Sequence, residues 1–222
     1  MAITTYDELQ SAVARWLRRD DLVEYIPDFI TLAEARHRRE IRCEGNEGRW
    51  RTSQALPGTD ALGVPNVATR YLGRPDDYIG FRMVRIIDTS TEQVKSVPKT
   101  TSPEELSYRL KPGYGLPSWY ATHATIEFDI IPTPGVYKVE VLYYRSFPHL
   151  SETVPTNWLL ENAPDLYLYG ALLDSAPLLR DDDRLGIWQA FYEEKKGDLV
   201  KQYEDSLYSM GSLESHASRT VI

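Results

Sequence analysis

From Pro164 to Ala176 the chain is apolar on nearly every side of a would-be helix, through Leu166, Leu168, Tyr169, Ala171, Leu172 and Leu173. A surface helix keeps one polar face for water, and this stretch has none to offer. The pattern therefore predicts a central, buried helix, broken at Pro177. The remainder of the chain must supply its cover.

Covering helices are legible at both ends. Thr5-Tyr6-Asp7-Glu8 has the form of a capping box and is followed by Leu9, Ala12, Val13, Trp16 and Leu17 at helical spacing, with Arg18-Arg19-Asp20-Asp21 closing the segment. A second helix starts near Pro27 and places Ile26, Phe29, Ile30, Ala33, His37 and Ile41 on one side, so the two read as an αα-hairpin. Helix returns near Thr156, over Asn157 to Leu160. Asp181-Asp182-Asp183, acids suited to a helix N-terminus, announce a long helix striped by Leu185, Trp188, Phe191, Tyr192, Leu199, Tyr203 and Leu207.

From Gly45 the texture changes to frequent Gly, Pro and Asn, with apolar and polar residues alternating. Phe81 to Ile87 reads as a strand. Ile126, Phe128 and Ile130 alternate with Glu127 and Asp129, and Tyr137, Val139, Val141 and Tyr143 alternate with Lys138, Glu140, Leu142 and Tyr144. Pro132-Thr133-Pro134-Gly135 predicts a turn that joins the last two as a hairpin, and Ser102-Pro103-Glu104-Glu105 predicts a capped short helix towards Leu110. The expected fold class is α+β: an antiparallel helical bundle from residues 1–44 and 151–208, a β-rich, antiparallel-sheet insertion lobe from 45–150, and a flexible tail from 209–222.

Composition narrows the function. Cys43 is the only cysteine of 222 residues, so one chain can form no internal disulfide and no cysteine-based metal site, which favours a reducing compartment such as cytoplasm. No apolar run approaches the roughly 20 residues that cross a bilayer, and Met1-Ala2-Ile3-Thr4-Thr5 lacks the basic-then-apolar order of a signal peptide. A chain neither secreted nor membrane-spanning is expected. The net charge of -8 argues against DNA binding by the whole surface, because phosphate neutralisation needs excess Lys and Arg. Fifteen Tyr and five Trp supply the amphipathic side chains that anchor protein interfaces, or that edge a sheet.

A search for chemistry finds none. The chain has no phosphate-cradling glycine loop, no dinucleotide fingerprint, no nucleophile elbow and no H-E-x-x-H. His37, His123, His149 and His216 lie in separate segments without ligand spacing. Asp181-Asp182-Asp183 lacks the surrounding loop of a cation site and serves better at a helix N-terminus, Asp76-Asp77 suits a turn before a strand, and Cys43 lacks a His partner. The chain is expected not to be an enzyme and to need no cofactor or metal. Arg36, Arg38, Arg39 and Arg42 crowd the outer side of the second helix, with Arg49 and Arg51 beyond. They read as a solvated face balanced by Glu34, Glu40, Glu44 and Glu47, as a phosphate contact, or as bidentate partners for a neighbouring copy.

The string also resembles a known family. Thr4-Thr5-Tyr6-Asp7-Glu8-Leu9, Trp16-Leu17 and Ile26-Pro27-Asp28-Phe29-Ile30-Thr31-Leu32-Ala33-Glu34-Ala35-Arg36 are similar to the N-terminal helical pair of tailed-bacteriophage head-to-tail adaptor proteins. Asn157-Trp158-Leu159-Leu160, Pro164 to Leu173, Ala176-Pro177-Leu178-Leu179 and Trp188 look like that family's C-terminal signature, while Arg74-Pro75-Asp76-Asp77-Tyr78 and Tyr143-Tyr144-Arg145 are similar to its middle. The stretch from about Gly48 to Thr69 is longer than in the family's shorter form.

The resemblance implies a structural virion protein in the neck between capsid and tail, assembled in the host cytoplasm. It implies a ring of twelve copies beneath the portal protein, joined below to tail or nozzle proteins. Double-stranded DNA would pass through the lumen without tight binding, and no membrane is involved. It further implies portal docking through the C-terminal segment, for which Leu207, Tyr208, Met210, Leu213, Val221 and Ile222 are the candidates. Arg36, Arg39, Arg42, Trp119 and Tyr120 are the candidate subunit-interface residues. Two alternatives stand beside it. One is a carbohydrate- or receptor-binding tail module stacking its ligand on Trp119, Tyr120, Tyr114 and Tyr137, and the other is a DNA-packaging accessory protein using the second-helix arginines. A hydrolase built on Asp182 is the remotest reading.

Overall fold

A computed structural model describes residues 3–51, 70–100, 102–133, 135–179 and 183–208. The fold is α+β, and the chain divides into two compact units, Met1–Gly45 with Phe147–Ile222, and Asn46–Ser146.

The helical unit is built around the helix without a polar face. Helix α1, Tyr6–Leu17, begins with the capping box in full: the Thr5 hydroxyl accepts from the Glu8 amide at 3.3 Å, and the Glu8 carboxylate accepts from the Thr5 amide at 3.2 Å. It ends at Arg18, in the left-handed conformation (φ 53°), whose amide still reaches Ala14 O. A 3₁₀ turn, Asp20–Tyr25, leads into α2, Ile26–Glu40, with Pro27 in its first turn. After the β unit come α4, Trp158–Asn162, capped by Asn157, then α5, Pro164–Asp174, and α6, Arg184–Tyr208. In α5, Leu166, Tyr167, Leu168, Gly170, Ala171 and Leu172 are all buried, and α1, α2, α4 and α6 each pack on it. Burying one such leucine contributes roughly 1.5–3 kcal/mol.

One close approach in this unit, between helices, is at Gly170. A Cβ there would stand 3.1 Å from Ala33 Cβ and 3.2 Å from His37 Nε2, with the Tyr192 ring at 3.6 Å. Glycine thus lets α2 and a ring from α6 close on one point of α5. Polar groups within the unit are joined as well. The Glu34 carboxylate accepts from the Leu150 amide at 2.8 Å, from Tyr167 Oη at 3.4 Å, and meets His149 Nδ1 at 2.7 Å, while Asn157 Nδ2 donates to Tyr167 Oη at 2.7 Å. Glu34 is therefore a nearly buried tie between α2 and the segment before α4, not a member of a solvated acidic face.

The β unit holds nine strands among the described residues: β1 Glu47–Arg51, β2 Tyr71–Leu72, β3 Tyr78–Asp88, β4 Val94–Val97, β5 Tyr114–Gly115, β6 Tyr120–Thr122, β7 Ile126–Phe128, β8 Ile131–Pro132 and β9 Tyr137–Arg145. Helix α3, Pro103–Ser107, lies between β4 and β5, with Ser102 Oγ accepting from the Glu105 amide as its cap. In place of one small antiparallel sheet there are three, in orders β1-β9-β3-β4, β2-β7-β6 and β5-β8, the last pair parallel. The expected hairpin between β7 and β9 is absent. Both edges of β9 are taken, by β1 and β3, so β7 pairs with β2 and β6 instead. Leu72, Val84, Ile86, Val97, Ile126, Phe128, Val139 and Val141 form one core from the two larger sheets, and Tyr120 is part of it. Of the stripe residues expected to be covered, Trp16, Phe191 and Leu207 are exposed, because α5 and its neighbours cover a narrower arc than the apolar stripes span.

Two measurements follow from this packing. Gly170→Leu lowers the unfolding free energy by about 2–3 kcal/mol in denaturant titration, since the Ala33 Cβ is borne on backbone and cannot rotate away. His37, buried between Tyr167 and Tyr192, has its pKa pushed down to about 3 by burial, with the Leu166 carbonyl opposing and the Arg36 charge reinforcing the shift. The unfolded chain binds a proton near the ordinary 6.5 that the native ring refuses, so stability is full above that value and falls as pH drops towards 3. Between pH 6.5 and 5 the unfolding free energy is expected to approach a slope of about 1.4 kcal/mol per pH unit, and His37→Gln is expected to flatten it.

Candidate functional site

The four-stranded sheet has two unlike faces. On β9, Val139, Val141 and Tyr143 point to the core, while Glu140 and Leu142 occupy the opposite face by the two-residue period of a strand. Cross-strand register sets Arg51 of β1 and Arg85 of β3 on either side of Glu140, and Arg49 stands two residues from Arg51 on the same face. Three guanidinium groups therefore converge on one carboxylate, Arg51 Nε at 2.5 Å, Arg85 Nη1 at 3.5 Å and Arg49 Nε at 3.7 Å. The Glu140 side chain is 3% exposed, whereas those of Arg49 and Arg51 are 57% and 58% exposed. One buried anion holds three forks whose outer edges remain in water, a fixed array suited to planar anions such as carboxylates. Lys138 adds a further cation on this face, and Met83 and Leu142, both half-buried, lie between the charges.

On the helical unit, Arg15, Trp16, Arg18, Arg184, Ile187 and Trp188 line an open groove. Arg184 Nη1 donates to the Trp16 carbonyl at 3.0 Å and its guanidinium lies over the Trp188 ring at 5.0 Å. Trp16 meets Tyr169 edge-on, and Tyr169 meets Phe191, so a row of aromatic side chains runs along the outside.

The residues singled out from sequence do not form one site. Arg36 turns inward rather than outward: it pairs with Asp174 and lies 5.6 Å over the Tyr192 ring, and burial pushes the Asp174 carboxyl up in spite of that neighbour. A helix that buries His37 and Ala33 carries Arg36 towards the seam beside them. Arg39 is exposed, and Arg42 Nη1 donates to the carbonyls of Arg38 and Ile41 at the end of α2. Tyr120 is a core side chain and not a surface one, since β6 places it between the sheets. Trp119 is half-buried beneath the guanidinium of Arg109, at 4.2 Å, in a loop held by the Asp129 carboxylate, which accepts from the Ser118 and Trp119 amides. No stacking platform of Trp119 with Tyr120 is formed, which removes the geometry of a carbohydrate site there. Leu207 is exposed on the last turn of α6 and Tyr208 ends that helix. Met210, Leu213, Val221 and Ile222 lie outside the described residues, as do Asp181, Asp182 and His216.

Among the described residues no group of three His, Cys, Asp or Glu side chains is placed to hold a metal ion. The arginine array around Glu140 was visible only in part beforehand. Arg49-Trp50-Arg51 shows two arginines on one strand face, and Glu140 is the one acid between apolar strand residues, but their meeting depends on a register that a single strand does not carry.

The profile of one protein family, described as SU10 adaptor protein, matches residues 4–215. No curated protein matches the chain.

Neutralising the carboxylate beneath the three arginines removes the charge that holds them together. Glu140→Gln is expected to lower the unfolding free energy by about 1.5–3 kcal/mol, the loss of charge-assisted bonding to a buried acceptor whose arginine partners stay in water. Arg51→Gln, at an exposed position, is expected to lower it by less than about 1 kcal/mol. Equal effects in denaturant titration would show that Glu140 is not the organising charge.

Proposed function

Because the chain belongs to the SU10 adaptor protein family, a family of phage head-to-tail adaptors, we propose that it forms a ring of twelve copies beneath the portal, extends the DNA channel and joins capsid to tail. The observation that carries this reading is the family match over residues 4–215, which takes in both units. A structural role in the virion accords with described surfaces that offer arginine arrays and aromatic rows, side chains suited to protein contacts.

In this reading the helical unit is an antiparallel bundle and the β unit a lobe inserted into it. Each copy touches two neighbours through two different patches, as a cyclic assembly requires. Partners are the portal protein above, tail or nozzle proteins below and further copies at either side. A net charge of -8 suits a lumen through which duplex DNA slides without adhering, because the wall repels phosphate. Genome ejection would then proceed through a conduit that holds its cargo weakly. Among the described residues no helix is long and apolar enough to cross a membrane.

Docking on the portal is assigned to the C-terminal segment, with Leu207, Tyr208, Met210, Leu213, Val221 and Ile222 as its apolar contacts. Such a segment exchanges chain entropy for buried apolar surface. The test is cosedimentation of the purified chain with portal rings from the same phage, with and without truncation after Tyr208. The full chain is expected to decorate the rings and the truncated chain, its melting temperature unchanged, to lose occupancy. A full chain that never cosediments with portal at any salt concentration overturns the adaptor reading, and a truncated chain at full occupancy moves the docking element elsewhere.

A further inference from the structure

We propose that the outer face of the four-stranded sheet is one half of the contact between neighbouring copies, and that its occupant is the acidic, apolar shoulder formed by the 3₁₀ turn and the start of α2 in a second copy. The proposal rests on the ring reading and names its interface.

Charge is divided unevenly between the two units. Asn46–Ser146 carries 12 Lys or Arg and 11 Asp or Glu, whereas the helical unit carries 13 and 22. Most of that excess lies in 147–222, with 13 acids against 6 bases, but the early acids include a run that no base interrupts. From Asp20 to Leu32 there are four Asp or Glu and no Lys or Arg, of which Asp21 pairs with Arg19 just before the stretch. This stretch also exposes large apolar side chains, Val23 at 49%, Tyr25 at 41% and Leu32 at 53%. Glu24 and Asp28 are exposed beside them, and Asp28 lies one turn before Leu32 on the same side of α2. A patch in which Tyr and Leu alternate with acids is poorly suited to water alone, and it needs a partner that is both apolar and cationic.

The sheet face supplies that partner. Arg49, Arg51 and Arg85 are held in place by Glu140, Lys138 stands on the same face, and Met83 and Leu142 give apolar ground between them. The arginine side chains are already ordered by the carboxylate beneath, so less rotamer freedom is lost when a second anion arrives. The mixture also favours protein over nucleic acid, since the central anion and the thioether and leucyl surface offer nothing to a phosphate chain. The two patches are different surfaces of one chain, so their pairing is head-to-tail, the kind of contact that a cyclic assembly repeats.

The test places a photo-crosslinking residue, p-benzoylphenylalanine, at Leu32, where exposure spares the fold. Isotope-labelled and unlabelled full chains are mixed, assembled on portal rings, irradiated and mapped by mass spectrometry. The expected product joins position 32 of one copy to peptides of β1, β3 or β9 from another, with mixed isotope masses. In parallel, Asp28→Arg is expected to raise the protein concentration needed for assembly by about tenfold, and adding Lys138→Glu in the same chain to bring it back. Crosslinks that reach only portal, DNA or another surface of the neighbouring copy overturn this interface while leaving the adaptor reading intact, as does an Asp28→Arg variant that assembles like the parent. A parent chain that associates with neither portal nor itself overturns both.

Discussion

The absence of a polar side on α5 is the constraint on which the helical unit depends. A helix of that kind can be stable only when neighbours enclose it, and here α1, α2, α4 and α6 do so. Enclosure on all sides brings backbones close, and Gly170 is where α2 and the Tyr192 ring press towards α5. Two consequences are built into the same spot. His37 is sealed in a neutral form, and Arg36, its neighbour in sequence, is drawn to Asp174 at the end of the helix it covers. A side chain that residue type alone would assign to solvent is thus claimed by the packing of the residue beside it.

Local signals were the legible part of this fold. The capping box at Thr5, the cap at Ser102, the first-turn Pro27 and the apolar run of α5 each depend on residues within a few positions, and each appears where the string places it. Strand character in 81–87, 126–130 and 137–144 was legible for the same reason, although β7 stops at Phe128. Pairing was not. The alternation in β7 and β9 says that each has a buried face, but nothing local says that β9 is already occupied on both edges, which is why the turn between them does not make a hairpin. Tyr120 and Arg36 were misplaced on similar grounds, since a tyrosine can edge a sheet or fill its core, and an arginine can face water or a seam. The array around Glu140 needs three strands in register before it exists at all.

Electrostatics gives the two units different characters. In the β unit a single inward carboxylate collects three cations, so positive charge is presented in a fixed pattern on one sheet face. In the helical unit acids outnumber bases by 22 to 13. In the proposed contact that fixed pattern would meet acids of a neighbouring copy, and such complementarity acts at longer range than any apolar contact. Orientation would thus be chosen during encounter, before the side chains meet.

The strands that open and close the β unit are themselves partners. Glu47 stands opposite Tyr144 in the antiparallel ladder of β1 and β9, and Asn46 Nδ2 donates to the Arg145 carbonyl at 2.9 Å beside it. Directly opposed residues in such a ladder are about 5 Å apart at their α-carbons. The β unit therefore begins and ends at nearly one point, and its roughly one hundred residues form a closed turn between paired strands. The entropy of closing a long loop is then spent inside the β unit, on its own ladder, and the helical unit is relieved of it. Lengthening any connection inside that lobe leaves the separation of the two ends untouched.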